Sequence, residues 1–177
     1  MKKTLINVVL TITVFILYFL QVNFFSWFTI AGIKPNLFVI FILFIGLFGN
    51  RSMGIIYGAV CGLMLDLIIE QKVGINMIGL ALIGMISIIF DKNFSKDSRM
   101  TIMLMVLSTT IIFEVVSYII NYMLYSINIE IFKFIEILIV EVMYNVIITI
   151  IIYPVIQRCG YYIENEYKGN RILTQYF

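Results

Sequence analysis

Residues 53–76 read MGIIYGAVCGLMLDLIIEQKVGIN. Gly54, Gly58, Gly62 and Asp66 recur at intervals of four, which places them on one helix face with a drift of about 40° per step. Ala59 and Cys61 sit beside that stripe, and Met53 to Ile69 holds a single charge. In lipid, a stripe of small residues is a groove along which a second helix can approach closely. The stretch is therefore read as a membrane-spanning helix, with Asp66 about 20 Å along it from Met53 and close to one boundary of the bilayer.

The rest of the chain agrees with that reading. Of its 177 residues 62% are hydrophobic and 12% charged, with a mean hydropathy of +1.07, against roughly 45–50% and 25% in soluble domains. A soluble fold of this size cannot hide so much apolar surface. The charges gather in short clusters, and each apolar stretch between them can cross about 30 Å of hydrocarbon with about 20 helical residues. The fold class expected is an all-α integral membrane protein, one transmembrane domain over 1–177, with spans at about 5–22, 35–49, 53–69, 76–90, 101–122 and 134–153. Pro35 suits the start of span 2, and Pro154 is expected to end span 6 because it lacks the donor a continuing helix needs. Residues 157–177 then form a tail with a short interfacial helix, and 91–99 an aqueous loop. Reading spans 3 and 4 as a non-spanning hairpin would leave four crossings.

Orientation follows from lysine and arginine alone. Lys2, Lys3, Arg51, Lys92, Lys96, Arg99, Arg158, Lys168 and Arg171 fall on one side, nine in all, and Lys34, Lys72 and Lys133 on the other. The richer side is the cytoplasm, so both termini are expected there. Met1-Lys2-Lys3 has the charge bias of a signal peptide, but the apolar run after it is too long and no small-x-small site follows, so it is read as a retained first span. Phe25, Trp27 and Phe28 are interfacial aromatics after span 1. Cys61 and Cys159 read as small buried hydrophobes without a disulfide.

Span 4 carries Gly74, Gly79 and Gly84 at intervals of five, spread around the helix, and is expected to pack on span 3 as a hairpin. Several acids break the hydrocarbon rule. A carboxylate in lipid costs several kcal/mol, so each must meet protein, water or headgroups. Asp66 can bind loop amides and fix the turn through Glu70, Gly74 and Asn76, couple an ion or substrate, or touch a partner. Glu114 in span 5 and Glu136 and Glu141 in span 6 raise the same question. Glu141 shares a face with Asn145, as Glu114 does with Tyr118, and across two antiparallel spans Glu114 can meet Glu141 or Asn145. Desolvation favours the neutral acid there, which can donate to an asparagine carbonyl; partner contact and proton coupling are the other readings.

Catalysis has little to stand on. The chain has no histidine, no CxxC, no phosphate-binding glycine loop and no nucleotide fingerprint. No metal, cofactor or nucleic-acid site is expected.

Gly32-x-Lys34-Pro35-Asn36-Leu37, the glycine ladder closing in Gly62-Leu63-x-x-Asp66, and Gly74-Ile75-Asn76 resemble the motifs of the bacterial rod-shape-determining MreD family. The resemblance implies that Lys34, Pro35, Asn36, Leu37, Asp66, Gly74 and Asn76 are family-motif positions. It implies a non-catalytic scaffold in the bacterial cell membrane, associating with MreC and through it with MreB, RodA and a class B penicillin-binding protein to organise side-wall peptidoglycan synthesis. It also implies a six-helix fold like that of the substrate-binding subunits of energy-coupling-factor transporters. The alternative on the same fold is a substrate-binding subunit of a vitamin-type transporter, for which the outer loops are short. A small proton-coupled exporter would lean on Glu114 and Glu141.

Overall fold

The computed structural model describes residues 2–70, 73–125 and 130–169. Among these it forms six helices: α1 Lys2–Trp27, α2 Leu37–Phe48, α3 Arg51–Ile69, α4 Ile75–Asn93, α5 Arg99–Leu124 and α6 Ile131–Lys168. Five are long and apolar enough to cross a membrane; α2 is the short one. Lys72 and Arg171, two of the positions in the charge count, lie outside the described residues.

The short helix is the centre of the bundle. LFVIFILFIGLF has no polar side chain, and every residue of α2 is buried except the half-buried Phe41. A helix apolar on all sides has no face to give to water and must be surrounded. Helices α3, α4, α5 and α6 all pack against it. At 1.5 Å per residue its 12 residues cover about 18 Å, well short of the hydrocarbon thickness. It therefore cannot reach both faces of the membrane by length alone.

Helices α3 and α4 form the most extensive pair. A Cβ on Gly58 would lie 2.4 Å from the Leu80 carbonyl oxygen, and one on Gly62 2.4 Å from that of Asn76. Gly54 faces Gly46 of α2 and Gly84 of α4, its absent Cβ falling 2.8 Å from the Gly46 Cα. Three helices thus meet at a point where only backbone fits. Gly79 looks another way, onto the Phe113 ring of α5. By contrast α1 is peripheral, with Ile6, Leu10 and Val14 its only buried residues in the stretch Lys2–Phe19.

Three expectations need correction. Pro154 does not end α6, which continues to Lys168. The lost backbone hydrogen bond is outweighed by contacts made farther on: Gly160 and Tyr161 pack on Phe48, and Tyr167 bonds Asn7. Residues 91–99 are not wholly an aqueous loop, since α4 runs to Asn93 and Lys96 turns inward with its side chain 13% exposed. Cys159 is exposed, while Cys61 is buried; their different helix faces, not their residue type, set this.

Candidate functional site

Each end of a helix leaves four backbone groups without an intrahelical partner, and in a bundle interior they must be met by protein. For α2 the bundle supplies those partners. At its amino end the Asn36 amide donates to Asn145 Oδ1 of α6 at 2.8 Å, and the Leu37 amide to Gln21 Oε1 of α1 at 3.0 Å. Asn36 itself caps the helix by accepting from the Val39 amide at 3.3 Å. At the carboxyl end, Lys168 Nζ donates to the Leu47 carbonyl at 2.6 Å and Lys96 Nζ to the same oxygen at 3.2 Å. Cations at a helix carboxyl terminus also complement its dipole.

The two lysines sit in a charge cluster. Asp91 receives Lys96 on one oxygen and Lys168 on the other, both at 2.7 Å, and Glu164 also pairs with Lys96. Burial pushes the Asp91 carboxyl up, but the bonds from Lys168 and Lys96 outweigh it and hold the group below its ordinary value. Burial pulls Lys96 down, yet Asp91 and Glu164 leave it net raised. Lys168 ends lowered, by burial first and by the neighbouring Lys96.

The helix α4 is started in a similar way. Asp66 is fully buried. Its Oδ1 accepts from the Asn76 amide at 2.9 Å and the Asn76 side-chain nitrogen at 3.0 Å; its Oδ2 accepts from the amides of Gly74 at 2.8 Å and Met77 at 3.1 Å. Gly74 has φ +114°, the left-handed region that favours glycine, and this turns its amide toward the carboxylate. An acid at a helix amino end is favoured by both the free N–H groups and the dipole.

The motif residues therefore fall into two hydrogen-bonded groups. Pro35 and Leu37 are buried, Lys34 and Asn36 half-buried, and this group joins α1 and α6 around the start of α2. Asp66, Gly74 and Asn76 join the end of α3 to the start of α4. Glu141 extends the first group. Its carboxyl neighbours Glu114, Asn36 and Asn145, and its Oε1 has no hydrogen-bond partner among the described residues. Asn145 Nδ2 donates to Thr110 Oγ1 of α5 at 3.0 Å, completing a polar seam between α5 and α6. Glu136 stands apart, exposed in a surface groove of about 360 Å³ with Ala31, Gly32, Ile33, Lys133 and Ile137.

Sequence reasoning missed Gln21, Gly46, Thr110 and the inward roles of Lys96 and Lys168. A polar residue near the end of an apolar span was a signal for Gln21, and a glycine in an otherwise bulky run for Gly46. Nothing local marks the two lysines. The arrangement positions helices. No cluster of three or more His, Cys, Asp or Glu side chains that could hold a metal occurs among the described residues.

Residues 1–159 match the family model described as rod shape-determining protein MreD. No curated protein and no solved structure matches the chain.

Proposed function

Because this chain belongs to the MreD family of rod shape-determining proteins, we propose that it works by holding MreC, and through MreC the filament-forming MreB, RodA and a class B penicillin-binding protein, at one place in the cell membrane. It is a non-enzymatic, multi-pass membrane scaffold of the cell-elongation machinery. The proposal adds the finer points: both termini in the cytoplasm, six crossings, and a likeness to the substrate-binding subunits of energy-coupling-factor transporters.

The observation that supports a scaffold best is the filled axis of the bundle. Phe38, Val39, Ile42, Leu43 and Leu47 are all 0% exposed, so the position that a ligand chamber would occupy is taken by α2. Side chains from α1, α6 and the α4–α5 connection then fasten both ends of that plug. A filled bundle with preformed outer faces suits assembly, since binding to a preformed surface loses little conformational freedom. In favour of six crossings, α2 starts beside Gln21, about 28 Å along α1 from Lys2, and finishes beside Lys96 and Lys168, at the end of the bundle where Lys2 pairs with Glu166. The side with Lys2, Lys96 and Lys168 is the one that lysine and arginine counts assign to the cytoplasm.

The test is copurification of the tagged full chain from native membranes in mild detergent. Recovery of MreC, with RodA in the same fraction, is the expected result. Recovery of transporter ATPases instead, or stoichiometric binding of a vitamin, would overturn the proposal.

A further inference from the structure

Helix α6 changes character at Pro154. Before it the buried side chains Glu141, Asn145, Ile148, Thr149 and Tyr153 pack into the bundle. After it, residues 155–168 add a set of polar ties at the lysine-rich end to the apolar contacts of a few partly buried side chains. The Tyr161 hydroxyl donates to the Asp97 carboxylate, and burial and that carboxylate push its phenol up to about 12. The Tyr167 hydroxyl donates to Asn7 Oδ1 at 2.7 Å and to the Lys3 carbonyl at 3.2 Å, and Glu166 pairs with Lys2 at 3.3 Å. Glu164 reaches Lys96, and Lys168 reaches Asp91 and the Leu47 carbonyl. Gly160 is the only residue of this stretch that is buried; it and Tyr161 lie on Phe48, while the partly buried Ile156 rests on the main core and Ile163 and Tyr167 rest on the cluster of Ile6, Leu10 and Ile45.

Proline removes one rung of the helical ladder and is the commonest site of a sharp helix kink. A segment with one buried residue, against five between Glu141 and Tyr153, and joined through such a position can come away while the bundle stays intact, because local opening is easiest in units with little buried apolar surface. We propose that residues 155–168 are a strap, hinged at Pro154, that opens as a unit from the end of the bundle. Closed, it covers the carboxyl end of α2. Open, it uncovers Phe48, the Leu47 carbonyl and Lys96, a basic and aromatic surface that fits an acidic amphipathic segment, the chemistry Glu164 and Tyr161 now supply. Most of the strap lies beyond the residues that match the family model, which end at 159. The strap does not depend on which partners the scaffold holds.

Paired spin labels on the full chain in lipid nanodiscs test this. Ser52→Cys and Asn165→Cys, both at exposed positions, report the strap in a Cys159→Ser background, with Cys61 buried out of reach. Ser52→Cys with Ile119→Cys reports the bundle. The unsubstituted chain is expected to give one strap distance. Asp91→Asn removes the charge from both 2.7 Å bonds and is expected to raise a longer-distance population about tenfold or more, with the bundle distance unchanged. Adding Pro154→Ala, which restores the missing rung, is expected to reduce that population. Lys168→Gln removes the strap's cation that meets Asp91 and gives the same test should Asp91→Asn fail to fold. An unchanged strap distance in the folded variants, or strap and bundle distances that broaden together, would overturn the proposal.

Discussion

Replacing Asp66 by Asn changes one atom and is expected to cost more than most core truncations. Each carboxylate oxygen accepts two hydrogen bonds, Oδ1 from the amide and side chain of Asn76 and Oδ2 from the amides of Gly74 and Met77. An asparagine keeps one such oxygen. Its amide nitrogen, in either orientation, points donors at two other donors in a site with 0% exposure. Two bonds to a charged acceptor are lost, each worth about 1.5–3 kcal/mol, so the loss comes to roughly 3–6 kcal/mol. The favourable interaction of the charge with the α4 dipole goes as well, at about 0.3–1 kcal/mol. The assay is reversible unfolding in mixed micelles titrated with sodium dodecyl sulfate, followed by circular dichroism. Glu130→Gln is the control: Glu130 is exposed and makes no side-chain cap to α6, so a change within about 0.5 kcal/mol is expected. A loss below about 1 kcal/mol for Asp66→Asn would refute the claim that this carboxylate starts α4.

Gly58→Leu and Gly62→Leu should each abolish assembly of the α3–α4 pair, since even a Cβ would come within 2.4 Å of backbone oxygen; fluorescence-detected size exclusion in detergent reads this, and wild-type elution of both variants would contradict it. Asn145→Leu strands the Asn36 amide and removes the donor to Thr110, whose hydroxyl keeps its bond to the Val106 carbonyl, for a destabilisation of about 1–3 kcal/mol in the micelle assay. The charge cluster gives a pH dependence. Asp91 is lowered, so its contribution is present above its ordinary value and lost as pH falls through the lower folded one. Lys96 is raised, so its contribution is present below its ordinary value and lost only as pH rises through the higher folded one. Lys168, being lowered, has the opposite sign and is relieved as pH rises. Attachment of residues 155–168, followed by amide hydrogen exchange, should therefore hold from about pH 5 to 9 and weaken only as pH falls below about 4 toward the lowered folded value of Asp91; release centred near pH 6 to 7 would count against the assignment.

What the chain shows of itself follows the range of the forces involved. Apolar runs and four-residue spacing report on single helices, so the glycine face of α3, with its acid at the end, is legible from local pattern. The position of α2 at the centre is half legible: a helix without one polar side chain must be enclosed, but nothing local says by which neighbours. The caps are long-range. Asn145 stands 109 residues from the amide it accepts, and Lys168 stands 121 residues from the carbonyl it reaches. No window of sequence carries such a pairing. Pro154 misleads for the same reason, because the rule that proline ends a helix is local, whereas Phe48, Asn7 and Lys96 hold the residues beyond it.

The scaffold claim is tested most directly by depleting the chain from its own cells and mapping side-wall incorporation of a fluorescent D-amino acid. The expected result is dispersed incorporation and loss of rod shape, restored by a copy carrying Glu130→Gln but not by one carrying Gly58→Leu. Side-wall labelling and cell width that stay unchanged after depletion would contradict it.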